Sequence, residues 1–193
     1  MYYLLGLYED AVAMYQRAIE VYPNEDSYAN LGTAYFYLGR YDDALEAYRS
    51  ALKLDSRNDV LYRNLGDAYL RVERVEEAQE QFKTAVSLLS EHLKINPDDA
   101  PRLADLAICQ AKLGNAVVAA ASIERAITLE PHNTNLMYAK AVVYALGGQR
   151  EKAIEDLRRA LVHGYSSSEA RRDPDLETLR EMKEYEELFS TAN

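Results

Sequence analysis

A step of about 34 residues repeats along this sequence and restricts the chain to folds built from stacked copies of one unit. Self-similarity at a fixed period of this length is the signature of repeat proteins, in which each unit buries its apolar face against the next. Two central copies begin at Tyr28 and Tyr62, a third spans 103–131 and a fourth spans 137–161. The matches that set the step are Tyr28 with Tyr62, Leu31 with Leu65, Gly32 with Gly66, Tyr35 with Tyr69, and Ala44 with Ala78.

Each copy contains two apolar stripes at helical spacing, separated by a short turn. In the first full copy the stripes are Tyr28, Leu31 and Tyr35, followed by Ala44, Tyr48 and Ala51. Glycine marks several of the turns, at Gly39, Gly114 and Gly148. Pro23, Pro97 and Pro131 follow the second stripe, where proline stops a helix. The pattern predicts consecutive helix-turn-helix units.

This pattern resembles the tetratricopeptide repeat, a helix-turn-helix unit with the same period. The resemblance implies an all-α fold, a right-handed superhelical solenoid that ends in a C-terminal capping helix. We expect a single domain over residues 1–193. Its parts are a truncated repeat at 1–24, repeats at 25–58, 59–99 and 100–133, a degenerate repeat at 134–165, and the cap at 166–193. The last repeat is degenerate because Lys140 stands where the other copies have leucine.

The N-terminal residues match the end of a repeat rather than its beginning. Gly6, Tyr8 and Ala11 correspond to the turn and second stripe of the next copy, so Met1–Leu5 corresponds to the end of a first helix. We therefore expect the chain to be a piece of a longer array. An edge cut in this way exposes apolar surface that a second copy could cover. The alternative function is self-association through Tyr2, Tyr3, Leu4 and Leu5.

The third helical pair is longer than the others. VSLLSEHLKIN separates Ala85 from Pro97, which is seven residues more than in the other copies. Seven residues make about two helical turns and rotate the face by only ~20°, so a helical extension over Leu88–Ile95 is expected. We favour the interpretation that it packs locally and slightly bends the array. The other interpretation is a ridge that binds a partner.

Charge and composition exclude several classes of function. With 22 Lys and Arg against 32 Asp and Glu, the net charge of −10 argues against a nucleic-acid partner. No apolar run approaches the ~18 residues needed to span a bilayer, and no signal-peptide pattern occurs. One cysteine cannot form an internal disulfide. We expect a soluble domain without its own targeting signal, and both cytoplasm and periplasm stay open.

The sequence contains no pattern that predicts catalysis. It lacks the GxGxxG, P-loop, HExxH and GxSxG motifs, and its three histidines have no second His or Cys at metal-ligand spacing. Cys109 lies among small core residues and is predicted to be a buried structural thiol. We predict that the chain is not an enzyme and has no cofactor or metal.

The resemblance implies that the first helices line a concave groove. An extended peptide or a partner helix would find donors, acceptors and an aromatic anchor there. A second interpretation also stays open. In it the groove is a solvated face that binds no partner, and its charges pair with each other, as Arg63 and Asp67 could. The predicted partner-binding residues are Asn30, Thr33, Phe36, Tyr37, Arg63, Asn64, Asp67, Arg71, Asp105, Lys112 and Tyr138.

The C-terminal segment admits a structural and a functional interpretation. Asp173-Pro174 begins a helix, and Leu176, Leu179, Met182 and Phe189 form an apolar stripe typical of a solenoid cap. The stretch GYSSSEARRDPDLETLR also resembles the terminal element of bacterial tetratricopeptide tails. Such tails are attached to transmembrane serine/threonine kinases, adenylate cyclases and winged-helix regulators. The resemblance implies a protein-interaction scaffold inside a larger signalling protein.

Overall fold

The chain is an all-α helical solenoid. The computed structural model describes residues 7–190, apart from the side chain of Ser190, and these residues form helices and short connections. The helices are α1 (Tyr8–Val21), α2 (Glu25–Tyr37), α3 (Tyr41–Leu54), α4 (Asp59–Arg71), α5 (Val75–Ile95), α6 (Ala100–Lys112), α7 (Ala116–Leu129), α8 (Thr134–Leu146), α9 (Arg150–Val162), α10 (Ser167–Arg172) and α11 (Lys183–Ser190). A 3-10 helix, Pro174–Leu179, joins the last two.

The chain divides within α5 into two compact units, one ending at Leu88 and one beginning at Leu89. In unit 1 each helix from α1 to α4 packs against the next along the chain. In unit 2, α6 to α9 pack in the same consecutive way, and α6 also packs against α8. The 3-10 helix of unit 2 packs against α8 and α9. Within each unit the helices therefore stack in chain order.

The first and second helices of each pair begin in different ways. Each first helix has a side-chain cap, in which an Asn or Asp oxygen accepts a backbone N–H that the helix leaves unbonded. The caps are Asn24, Asn58, Asp99 and Asn133. The second helices α1, α3, α7 and α9 have no side-chain cap, and α3, α7 and α9 follow directly from a tight turn. The turn and the cap together fix where each helix begins.

The helices of a pair approach most closely where the first helix has a glycine. A Cβ atom added to Gly32 would lie 2.6 Å from the ring of Tyr48, and one added to Gly66 would lie 2.6 Å from Phe82. Both rings are almost completely buried. Real Cβ contacts are essentially never this short, so only glycine lets the aromatic ring of the second helix pack flat against the backbone of the first.

The segment that the sequence predicts as a helical extension is helical in the structure. Helix α5 contains 21 residues, against 14 in α1, α3 and α7. Leu88 and Leu89 are buried, whereas Ile95 at the end of the helix is exposed. The added turns of α5 are therefore buried on one side near Leu88 and Leu89, and the end of the helix at Ile95 lies in solvent.

Lys140 replaces a core leucine without leaving a buried charge unpaired. Its Nζ lies 2.9 Å from a carboxylate oxygen of Glu124 on α7 and 3.8 Å from one of Asp156 on α9. The Tyr144 hydroxyl donates to the same Glu124 carboxylate at 2.6 Å. A half-buried ammonium group needs several polar partners to compensate its loss of water, and this network supplies them. The degenerate repeat keeps its packing for this reason.

The prediction of one capping helix after Asp173 is wrong in detail. Pro174–Leu179 forms a 3-10 helix, and a separate helix, α11, begins at Lys183. The predicted cap residue is correct, because the Asp173 side chain accepts from the backbone N–H of Asp175 at 2.8 Å. Leu176 and Leu179 are fully buried in the tighter 3-10 turn. Because two elements share the apolar stripe, the segment folds over the end of unit 2 rather than lying along it as one helix.

We predict that Gly32→Ala lowers the free energy of unfolding by about 2 kcal/mol, because the buried Tyr48 ring must move to admit a methyl group. Urea unfolding followed by circular dichroism measures the change. Combining Gly32→Ala with Tyr48→Leu serves as the control, since removing the ring makes room for the methyl group. If the two substitutions cost the sum of their separate effects, the ring contact does not limit the helix spacing.

We predict opposite effects at two equivalent turn positions. Gly39 has φ of 74°, and Glu73, one repeat later, has φ of 59°, a left-handed conformation that strains any residue with a Cβ atom. Glu73→Gly should raise the free energy of unfolding by roughly 0.5–1 kcal/mol, and Gly39→Ala should lower it by about 1 kcal/mol. The same unfolding measurement tests both. Two changes of the same sign would contradict the explanation.

Candidate functional site

The predicted partner-binding residues divide between the two units. Unit 1 carries eight of them on its first helices, and we call this set the first-helix surface. It consists of Asn30, Thr33, Phe36 and Tyr37 on α2, and of Arg63, Asn64, Asp67 and Arg71 on α4. Unit 2 carries Asp105 and Lys112 on α6 and Tyr138 on α8.

A hydrogen bond between the cap of α4 and the first residue of α2 joins the beginnings of these two helices. The Asn58 side chain caps α4 with its oxygen and donates from its Nδ2 to the Glu25 carboxylate in the first turn of α2, at 2.7 Å. Burial raises the pKa of Glu25, and the charge of Asp26 raises it further. The two helices therefore start side by side, which places repeat-equivalent side chains at matching heights.

An aromatic cluster lies at the C-terminal end of α2. Tyr37 is 47% exposed, and its ring stacks on Tyr8 with centroids 5.1 Å apart and an interplanar angle of 15°. Phe36 meets Tyr37 and Tyr41 edge-on, at 5.8 and 5.5 Å between centroids. The Arg71 guanidinium lies 5.7 Å from the centroid of the Tyr41 ring. The cluster is an amphipathic anchor, since it offers ring faces together with phenol hydroxyls.

Sequence reasoning missed Tyr8 and Tyr41 as members of this cluster. Both are the first residue of a second helix, and each precedes two acidic residues. That repeated position was the available signal. Both rings are half-buried.

Asn30 and Asn64 occupy equivalent positions in consecutive repeats, and both are half-buried. Within residues 7–190 neither side-chain amide has a hydrogen-bond partner. Each amide has donors and an acceptor, which is the complement of a peptide group. Thr33 differs, because its hydroxyl donates to the Ala29 carbonyl at 3.0 Å and accepts from the Tyr48 hydroxyl at 3.2 Å.

The chain's own C-terminal segment engages the predicted residues Lys112 and Tyr138. The Lys112 side chain is 4% exposed, and its Nζ lies 2.5 Å from a carboxylate oxygen of Asp175. The Tyr138 hydroxyl donates to Asp173 at 2.5 Å, and its ring stacks on Tyr165 with centroids 3.9 Å apart. Within unit 2, these two predicted partner-binding residues are therefore occupied by the chain itself. Tyr165, Asp173 and Asp175 were not predicted to reach it, because the sequence indicated only a cap.

The pKa of the Asp173 carboxyl is raised in this segment. Burial raises the pKa of Asp173 to about 6, and the neighbouring charge of Asp175 contributes. Burial also raises the pKa of Tyr138, so its hydroxyl stays a donor. One lysine and one phenol hydroxyl thus contact two closely spaced acids.

The other features considered in the sequence are the self-association edge, the single cysteine, membrane-spanning helices and metal-binding clusters. Tyr2, Tyr3, Leu4 and Leu5, the predicted self-association edge, lie outside the described residues. Cys109 is completely buried. Over residues 7–190, no helix is both long and apolar enough to span a membrane, and no cluster of three or more His, Cys, Asp or Glu could hold a metal ion.

Four family models match parts of the sequence. A model described as TPR repeat matches residues 32–72. Models described as tetratricopeptide repeat match residues 1–25, 61–91 and 105–174. The matches cover both units and extend into the C-terminal segment. No curated protein sequence matches the chain significantly.

Solved structures share this fold over most of the chain. A thermophilic TPR protein from Thermus thermophilus is 25% identical, with a TM-score of 0.65 over 92% of this chain and 93% of that one. PilW, a type IV pilus biogenesis factor, is 21% identical, with a TM-score of 0.59 over 98% of this chain and 86% of its own. The second likeness is one of fold alone.

We predict that Asp173→Asn removes part of the pH dependence of stability. In the folded chain the pKa of Asp173 is about 6, above its ordinary value of 3.8, so the folded state binds this proton more tightly than the unfolded state does. The free energy of unfolding should therefore fall as the pH rises from about 4 to 6. The variant should lack this decrease and be more stable than the native chain at pH 7 by roughly 1–3 kcal/mol.

Urea unfolding at a series of pH values measures this difference. Asp42→Asn, which removes an exposed carboxylate, is the control for the change in net charge. A parallel pH dependence for native chain and Asp173→Asn would show that the buried carboxyl does not titrate in this range.

Proposed function

Since the chain is a tetratricopeptide repeat protein, we propose that it binds an extended peptide segment or a partner helix of another protein on its first-helix surface. Families of this repeat are generally non-catalytic interaction scaffolds, and we extend that description to this chain. The role needs no cofactor. It requires a surface with unsatisfied polar groups and an anchor, and both are found on α2 and α4.

The paired amides of Asn30 and Asn64 carry this proposal. A peptide lying across α2 and α4 could bond both, each amide accepting from one peptide N–H or donating to one carbonyl. A net gain of about 1 kcal/mol for each such bond gives an affinity change of roughly 30-fold for the pair. The adjacent Tyr37 ring supplies the aromatic anchor that binding sites commonly use.

The two units support different roles in this proposal. In unit 1 the first helices expose Tyr37 and present the two amides. In unit 2 the equivalent face is occupied by the segment that begins at Asp173, through Lys112 and Tyr138. We therefore assign partner binding to α2 and α4, and we assign the C-terminal segment to closing α6 and α8.

A place within a larger signalling protein is a further part of the proposal. It is supported by the resemblance of Gly164–Arg180 to the terminal element of bacterial signalling proteins. Sequencing the gene upstream of the Met1 codon tests it. An open reading frame that continues into a kinase, cyclase or winged-helix domain is expected, and an in-frame stop codon close upstream would contradict it.

We predict that a peptide-library screen enriches a motif on the native chain and that Asn30→Ala with Asn64→Ala weakens the selected peptides roughly 30-fold. Fluorescence anisotropy measures the affinities. Asn96→Ala with Asn115→Ala is the matched control, because both side chains are exposed and neither belongs to the first-helix surface. A second variant, Tyr37→Ala with Arg63→Glu and Arg71→Glu, tests the anchor and the charges.

The outcomes separate the interpretations. Enrichment by the native chain and the control but not by the two variants supports the first-helix surface. Equal enrichment by all four proteins would place binding elsewhere. The absence of any enriched motif would contradict peptide binding itself.

A further inference from the structure

Helix α7 has an apolar outer face where the other second helices are charged. The helices align through the fully buried alanines Ala44, Ala119 and Ala153. Val117 is 85% exposed and Val118 is 53% exposed, so neither contributes fully to the core. The equivalent outward positions hold Asp42, Asp43 and Glu46 in α3, Glu151, Lys152 and Glu155 in α9, and Val117, Val118 and Ala121 in α7.

A pocket opens beside this face, within unit 2. Its volume is about 410 Å³, and it is bounded by the extended part of α5, by α6 and by the first turns of α7. Leu103 and Leu106 of α6 are buried at the pocket, and Leu93 of α5 and Val118 of α7 line its sides. Leu93 belongs to the seven-residue extension, so the wall that it forms exists because α5 is longer than the other second helices. Exposed apolar surface next to such a pocket is typical of a binding site.

The charged residues that line the pocket are both cationic. They are Lys94 on α5 and Arg125 on α7, in a chain whose net charge is −10. Arg125 also pairs with Asp98 at 2.9 Å, and both side chains of that pair are more than half exposed. An exposed pair of this kind contributes at most about 1 kcal/mol, so a partner carboxylate can share or replace it. The pocket thus favours an acidic partner although the protein as a whole is acidic.

The helices around the pocket indicate that the partner binds as a helix rather than as a strand. Helices satisfy their own backbone hydrogen bonds, and the described residues are helical on every side of this pocket, so no strand edge is offered for pairing. The groove between the second helices α5 and α7 can instead accept apolar side chains spaced at i, i+3 and i+4, as helix-in-groove recognition requires.

We propose that this second-helix pocket binds an amphipathic helix of another protein. One apolar side chain of that helix enters the pocket, its neighbours cover Val117 and Val118, and its flanking carboxylates face Lys94 and Arg125. The site is carried by residues 89–129 and does not depend on the peptide binding proposed for α2 and α4. A second copy of this chain is a weaker occupant, because two chains of charge −10 repel each other.

The test uses the full chain and two fluorescein-labelled synthetic helices of about 18 residues, a length that forms stable turns on an alanine background. Both carry leucines at i, i+3, i+4 and i+7, and one has flanking glutamates where the other has lysines. Anisotropy at two salt concentrations measures binding. The glutamate helix should bind at least roughly tenfold more tightly than the lysine helix, and salt should weaken it.

Substitutions at exposed positions keep the fold and isolate the site. Val117→Asp with Val118→Asp introduces the residues that α3 carries at these positions, and it should weaken the glutamate helix at least tenfold. Lys94→Glu with Arg125→Glu should reverse the preference toward the lysine helix. Val162→Asp, at an exposed valine of α9, is the control and should bind like the native chain.

Three results would overturn the proposal. Equal binding of the two helices would show that Lys94 and Arg125 do not select the partner. Unchanged binding by the double aspartate variant would show that the helix does not bind at the pocket. A native dimer, seen by sedimentation, that the double aspartate variant abolishes would make a second copy the occupant. The Asn30→Ala, Asn64→Ala variant should bind the glutamate helix normally, so failure of the peptide screen and failure of this test are distinguishable.

Discussion

The contact between a glycine on a first helix and a buried aromatic ring on the following helix sets the spacing of each pair in unit 1. Tyr48 lies against the backbone at Gly32, and Phe82 lies against the backbone at Gly66. This close approach fixes which sides of α2 and α4 face the second helices and therefore which side chains remain for a partner. Asn30, Asn64 and Tyr37 are available because the opposite side of each helix is occupied in this way.

Unit 2 reaches a comparable result with different interactions. Alanines replace the glycine-ring contact, Lys140 enters a network with Glu124 and Asp156, and the C-terminal segment covers α8. The segment acts as a final repeat would, since it buries Leu176 and Leu179. It also brings two carboxylates to Lys112 and Tyr138, and burial, together with the nearby charge of Asp175, raises the pKa of Asp173. Closing the repeat array thus uses polar groups that would otherwise be open to a partner.

The two proposed surfaces differ in chemistry because first and second helices have different neighbours. The first-helix surface offers amides, an aromatic cluster and charges of both signs, which suits an extended peptide. The second-helix pocket offers valines and leucines with a cationic border, which suits one face of a helix. Acidic residues elsewhere on the second helices keep those faces solvated. The replacement of three such residues in α7 is what makes its face a candidate for binding.

Repetition in the sequence was sufficient to predict the all-α fold, the order of first and second helices and the longer α5. Each of these follows from local spacing, since a fixed repeat period and a helical stripe are properties of neighbouring residues. The pairing of Lys112 with Asp175, the stacking of Tyr8 on Tyr37 and the pocket between α5 and α7 were decided only by tertiary structure. These contacts join residues far apart in the chain, and their distances depend on how the helices pack rather than on any local pattern.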